Sequence, residues 1–182
     1  MRNLTIDGMT VDYTATVDTG GNYYHAFGVL AGFVGNGFSA SNVTVKNVTM
    51  NLNLCGEEAY NTSAHRLPAE CIGGLIGYAK GTVSMTNCKV EGMTVNNKNE
   101  ATGITTGTLL GGIGKSVTTA AGKTYSVTAS IDEDTTYPTE LPCIGKELTL
   151  DYSTASESAV QSRDALLPAD PEEGRRKENA VD

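Results

Sequence analysis

At 182 residues the chain is long enough for one domain with a real core, and its formal net charge is −8. Only 19% of residues are charged, tryptophan is absent and glycine reaches 21 residues. With Thr, Val, Asn and Ser prominent as well, this excludes a charged helical bundle and indicates strands and tight turns. No basic face exists to displace counterions from phosphates, which argues against nucleic acid, and no apolar run approaches the roughly 20 residues of a membrane-spanning helix.

The chain enters a strand pattern at once. Asn3 is followed by apolar Leu4, Ile6, Met9 and Val11, two period-2 pairs joined at Asp7-Gly8 with one residue of phase slip. This start lacks the layout of a signal peptide. Read literally the chain is cytoplasmic; a segment of a longer exported protein explains the abrupt start equally well. The same element returns as Asn42 with Val43, Val45, Val48 and Met50, joined at Lys46-Asn47. It returns again as Asn87 with Cys88, Val90, Met93 and Val95, joined at Glu91-Gly92.

These elements sit inside a longer repeat. Residues 28–51 align with 73–96 without gaps. Gly28, Leu30, Gly32, Ser39, Asn42, Val45 and Asn51 fall on Gly73, Leu75, Gly77, Ser84, Asn87, Val90 and Asn96. Phe33 falls on Tyr78, Ser41 on Thr86 and Val48 on Met93. A hairpin would need a two-residue reversal between longer strands. A bend that keeps the chain moving round a coil suits the slip better, because both short strands then point inward. One such coil cannot bury its inner face alone, whereas stacked coils can. The expected fold is therefore all-β, a right-handed parallel β-helix (β-solenoid) or a closely related repeat of short strands. The 45-residue offset is read as two coils in preference to one coil with a long excursion.

Later copies degenerate. Gly107-Thr108-Leu109-Leu110-Gly111 echoes Gly73-Gly74-Leu75-Ile76-Gly77. Tyr125, Val127, Ala129 and Ile131 alternate as one strand, and Leu141-Pro142-Cys143-Ile144-Gly145 echoes Ala69-Glu70-Cys71-Ile72-Gly73. Leu148, Leu150 and Tyr152 alternate once more. The repeat domain is placed at 1–152. Residues 153–182, rich in charge and poor in periodic apolar positions, read as a disordered or weakly helical tail.

The run Gly73-Gly74-Leu75-Ile76-Gly77 with Gly81, Asn87 and Cys88 resembles the GLUG motif. That repeat occurs in large bacterial surface proteins, including adhesin-like proteins and non-catalytic regions of IgA-specific metalloproteases. Its usual form is Gly-Gly-Leu-Val-Gly, a glycine turn, then Asn-Cys and a strand. The earlier copy departs from it, with Val29 in place of the second glycine and Val43 in place of the cysteine. The copy near Gly107 is weaker. The resemblance covers roughly residues 1–131 and implies a β-helical region of a secreted or cell-surface protein, non-catalytic and without a cofactor. It names no ligand.

Little else carries chemistry. Gly114-Lys115-Ser116 and Gly122-Lys123-Thr124 end like phosphate loops, but Leu109 and Val117 stand where the opening glycine belongs and no helix follows. They read as glycine turns. His25 and His65 lack zinc-ligand spacing and read as exposed loop residues without a close partner. The acids Glu57, Glu58, Glu70 and Asp132-Glu133-Asp134 read as loop residues with no assignable acid–base pair; the trio is at most a weak Ca²⁺ site. Cys55 and Cys71 bracket a polar excursion and form a candidate disulfide closing a loop of about 15 residues. Cys88 takes an inward slot like Val43. The sequons at Asn3, Asn42, Asn47 and Asn61 read as bend residues whose side chains bond neighbouring backbone or stack in ladders. The candidate contact loop is 56–70 with Tyr60 and His65, joined by Tyr23-Tyr24-His25, facing a glycan or a host or bacterial surface protein. Self-association or stacking on neighbouring repeats is open. The alternatives to a surface repeat module are a glycan-active β-helix, lyase or hydrolase, and an accessory region of a large surface protease. Leu167-Pro168-Ala169-Asp170 lacks the features of a sortase anchor.

Overall fold

A computed structural model describes residues 1–14, 25–54, 70–98, 104–118, 122 and 124–148. Among them the chain is all-β, with fifteen strands and no helix. One wide sheet holds β1 (Arg2–Asp7), β2 (Thr10–Thr14), β5 (Gly37–Asn53), β8 (Thr82–Thr86), β9 (Lys89–Asn97) and β14 (Ala129–Ile131). A three-stranded sheet holds β3 (Ala26–Gly28), β6 (Glu70–Gly73) and β10 (Ile104–Gly107). A four-stranded sheet holds β4 (Ala31–Val34), β7 (Ile76–Ala79), β11 (Leu110–Gly114) and β15 (Ile144–Leu148). All pairings in these sheets are parallel. The chain visits wide, three-stranded and four-stranded sheets in turn and then repeats the circuit, which is the path of a β-solenoid. A small antiparallel hairpin, β12 (Val117–Thr118) with β13 (Thr124–Tyr125), interrupts the last circuit.

The phase slip seen in the sequence has a backbone cause. Asn3, Asn42 and Asn87 have φ of 54°, 54° and 48°, and Gly8, Asn47 and Gly92 have φ of 75°, 53° and 72°. Asn and Gly are the residues that enter this left-handed region at least cost. Each such step shifts the strand by one residue of phase: Asn3, Asn42, Asn47 and Gly92 do so within a continuous strand, whereas Gly8 and Asn87 fall between two strands of the same sheet. Along β5 the inward positions are Phe38, Ala40, Val43, Val45, Val48, Met50 and Leu52, with the phase changing at Asn42 and again at Asn47. All except Phe38 are fully buried.

The glycines of Gly73-Gly74-Leu75-Ile76-Gly77 let the two narrow sheets meet at backbone distance. A β-carbon at Gly73 would fall 2.5 Å from Gly111 N, and one at Gly77 would fall 2.5 Å from Phe27 N and 2.6 Å from Gly32 O. The turn between them buries Leu75 fully and sets Gly74 against Val90 and Met93 of the wide sheet, whose side chains lie 3.2 Å from its β-carbon position. The main core is a continuous cluster running from Val34 through Val45, Ile72, Leu75 and Val90 to Leu110, and a second, smaller cluster holds Cys71, Tyr78 and Leu148.

Three expectations need correction. The 45-residue offset is one coil, because Ser39 pairs directly with Ser84 and Val45 with Val90. The left-handed steps at Asn42 and Asn47 bend a strand that stays continuous, so two strand-like pieces do not make two coils. Residues 124–131 are two strands in different sheets: Ser116 Oγ accepts from Val127 N–H at 2.9 Å and donates to Val127 O at 3.2 Å, fixing a corner between them. Ile144 pairs with Leu110, which pairs with Ile76, so Cys143-Ile144-Gly145 repeats Leu75-Ile76-Gly77 and not Cys71-Ile72-Gly73. Of the two phosphate-loop lookalikes, Gly122 stands at φ 79° in the hairpin turn, whereas Gly114 ends strand β11. The tail read at 153–182 lies outside the described residues.

Candidate functional site

Successive circuits leave the wide sheet at one column of strand ends. Thr14 pairs with Asn53 and Leu52 with Asn97. They return at a second column, where Ala26 and Thr105 both pair with Cys71. The described ends of three connections, Thr14 with His25, Asn53 with Glu70 and Asn97 with Ile104, therefore lie in shared columns at one corner of the stack.

The return column is held by a histidine–glutamate pair. Glu70 opens β6 with no exposed surface, and its carboxylate Oε1 contacts His25 Nδ1 at the start of the preceding coil. The His25 side chain is 11% exposed. Tyr13 lies edge-on to His25 with ring centroids 5.5 Å apart, and 5.0 Å from Phe27. A buried acid needs a paired partner to stay in place. This overturns two expectations: His25 is a half-buried, partnered residue and not an exposed contact, and Glu70 is an interior strand residue and not a loop acid. Beside it, the Cys71 thiol is pushed up to about 12, first by burial and then by the Glu70 charge. A thiol so protonated is no nucleophile at neutral pH. Cys55, Tyr23, Tyr24, Tyr60, His65, Glu57, Glu58 and Asn61 lie outside the described residues. The Cys55–Cys71 pairing and the Tyr60 and His65 contact loop thus have no geometry to weigh.

The remaining polar chemistry of the wide sheet is laddered. Asn87 Nδ2 donates to Asn42 Oδ1 at 2.8 Å, and Asn42 Nδ2 to Asn3 Oδ1 at 3.1 Å. Asn96 donates to Asn51 and Asn51 to Asp12, each at 2.8 Å. Asn47 donates to Asp7 Oδ1 at 2.8 Å, and Lys46 Nζ lies 3.1 Å from Asp7 Oδ2. Asp132 ends the first ladder: its carboxylate accepts the Asn87 backbone N–H at 3.0 Å and the Thr135 hydroxyl at 2.6 Å. The Thr135 bond first, and the Asn87 N–H with it, holds that carboxyl below its ordinary value. Asp132 is thus an end cap of the stack. Cys88 is fully buried, in the slot stacked on Val43. Among the described residues no three His, Cys, Asp or Glu side chains cluster as metal ligands. An open groove of about 520 Å³ beside β11 and β15 is lined by Ile113, Lys115, Ser116, Val127, Ile144 and Glu147, among others.

Such a chain is, by architecture, a stacked repeat module of parallel coils around a shared core, with the strand ends of successive coils in common columns. Comparison with known families agrees with the coil pattern, because residues 68–96 match the family model described as the GLUG motif. That stretch spans β6 to β9, the glycine-thin turn and the Asn87 bend, one coil nearly complete. No curated protein and no solved structure matches the chain.

Proposed function

We propose that the chain is a non-catalytic repeat module of a bacterial surface protein, a stalk or adhesin-like segment whose coils hold a set of binding loops. The single observation that carries this reading is the common corner, where three connections leave and return in columns tied at their base by His25 and Glu70. A rigid stack that gathers variable loops is a binding architecture, and repeats of the GLUG kind are generally non-catalytic. Three acids of the wide sheet and its bends are engaged structurally: Asp7, Asp12 and Asp132 each accept hydrogen bonds from a neighbouring coil.

The contact would be a glycan or a protein of a host or bacterial surface, made through the connection that contains Tyr60 and His65. The test is to display the whole chain on beads and measure its binding to a glycan array and to cell surfaces. A second chain carries a Gly/Ser linker of equal length in place of residues 56–69. The expected result is binding that the linker abolishes while the β-sheet circular dichroism is retained. Binding that survives the replacement sinks the loop assignment. Release of new sugar ends from polysaccharide by the purified chain sinks the non-catalytic one.

A further inference from the structure

The wide sheet has a stretch with one side free. Strand β9 pairs with β5 from Lys89 to Asn97. On its other side it meets the next coil only at Lys89, bridged to Thr136, and at Val90, whose N–H reaches Thr136 O at 3.0 Å. Among the described residues, no strand lies beyond residues 91–96. About half of the backbone N–H and C=O groups of such an edge point outward. Met93 and Val95 are only half-buried there, whereas Val48 and Met50, stacked on them one coil earlier, are each 1% exposed. The edge has the make-up of an interior layer without a cover among the described residues.

The columns of the sheet say what cover fits. Asp7, Lys46 and Glu91 share one column, in which Lys46 answers Asp7 at 3.1 Å. Gly8, Asn47 and Gly92 share the next, all at positive φ. Asp12, Asn51 and Asn96 share a third. A carboxylate only accepts hydrogen bonds, so Asp12 orients the amide of Asn51, and Asn51 that of Asn96, with every NH₂ toward Asp12. Asn96 is left with its carbonyl oxygen for the outer side. Reading outward, the edge offers an anion at Glu91, a left-handed step at Gly92, apolar Met93 and Val95, and an acceptor at Asn96.

The complement is a strand with a basic residue, then Asn or Gly, then apolar, any, apolar, and an amide. Lys46-Asn47-Val48-Thr49-Met50-Asn51 is such a sequence, and it already lies against the inner side of β9. The first strand pair of the chain, Asp7-Gly8-Met9-Thr10-Val11-Asp12, shares the backbone steps and apolar positions but carries carboxylates at both polar ones. Stacked head to tail, a second copy would set Asp7 against Glu91 and Asp12 against the Asn96 carbonyl. Like charges directly opposite each other in a sheet are destabilising.

We propose that the outer edge of residues 91–96 binds, in parallel register, one β-strand of another polypeptide bearing the pattern basic, Asn or Gly, apolar, any, apolar, amide, and refuses a second copy of this chain. Recognition is β-strand addition: the backbone supplies affinity, and the two polar columns supply choice. The proposal does not depend on what the loops bind.

The test titrates the full chain into two fluorescent synthetic peptides, one with the sequence of residues 40–53 and one with that of residues 1–14, reading anisotropy at low salt. Two favourable polar contacts exchanged for two unfavourable ones amount to about tenfold in affinity, so the 40–53 peptide should bind about tenfold tighter or more. Glu91→Lys should cancel that preference, because only the Asn96 column then favours the 40–53 peptide, and Glu91→Gln should narrow it. Equal affinity of the unaltered chain for the two peptides, no binding of either, or a preference indifferent to both substitutions overturns the proposal. Circular dichroism of each variant confirms that the sheet is intact.

Discussion

At the scale of single residues, the asparagines do two jobs that only a small amide combines. Asn42 sits at φ 54°, and its side chain also accepts from Asn87 and donates to Asn3. An alanine there faces the left-handed region at about 1–2 kcal/mol and forfeits two ladder bonds, each worth about 1 kcal/mol or less at an exposed site. Asn42→Ala should therefore lower the unfolding free energy by about 2 kcal/mol in urea titration. Asn42→Gly relieves the backbone and loses only the ladder, and should cost about half as much. A glycine variant as damaging as the alanine would shift the burden from the backbone to the amide stack. The pattern of asparagines was readable in the sequence, since a polar residue at a fixed offset before an apolar pair needs a reason. His25 and Glu70 were readable as well, and were missed. They stand at the same 45-residue offset as the glycines, so extending the alignment three residues upstream of Gly28 and Gly73 sets one on the other. A charged residue in a polar-looking connection gives no sign of burial by itself, because burial there depends on a neighbour that arrives from the preceding coil.

At the scale of elements, the glycine-thin turn is the most demanding piece of the fold. Gly77 pairs in register with Gly32 and Gly111 of the adjacent coils, and its missing β-carbon is what lets Phe27 N approach. Backbone atoms cannot move aside as a flexible side chain can. Gly77→Ala should accordingly destabilise by about 3 kcal/mol or more, read as a fall in the midpoint of thermal unfolding. Gly37→Ala serves as the control, since its nearest atom would be Thr82 O at 3.8 Å and its cost should stay within about 1 kcal/mol. Matching losses at the two sites would mean that the close approach at Gly77 is not what the glycine is for. The strands around this turn were legible from alternation and repeat spacing. The split of residues 124–131 into two strands was not, because the corner is made by Ser116, a residue far along the chain whose hydroxyl carries no periodic signal.

At the scale of the whole molecule, stability follows the stack. Strands β5, β6, β7, β8 and β11 have neighbours on both sides, whereas among the described residues β1, β2, β14 and β15 have them on one. In a linear array each repeat is held by its own packing and its two interfaces. Hydrogen exchange followed by mass spectrometry should show the slowest amides in β5, β6 and β7, with faster exchange in β1 and β2 at one end and β14 and β15 at the other. Protection of equal depth in every coil would mean that the coils unfold as a single unit.

The sequence by itself determined that the chain is a repeat of short strands, where its bends fall, and which side chains face inward. These are local consequences of residue type: apolar alternation fixes the face, and Asn or Gly permits the left-handed step. Only the tertiary structure decided how many residues make one coil, that His25 meets Glu70, and that the connections share a corner. Those facts concern which coil lies on which, and stacking is a relation between distant segments that a pattern read along one strand does not contain.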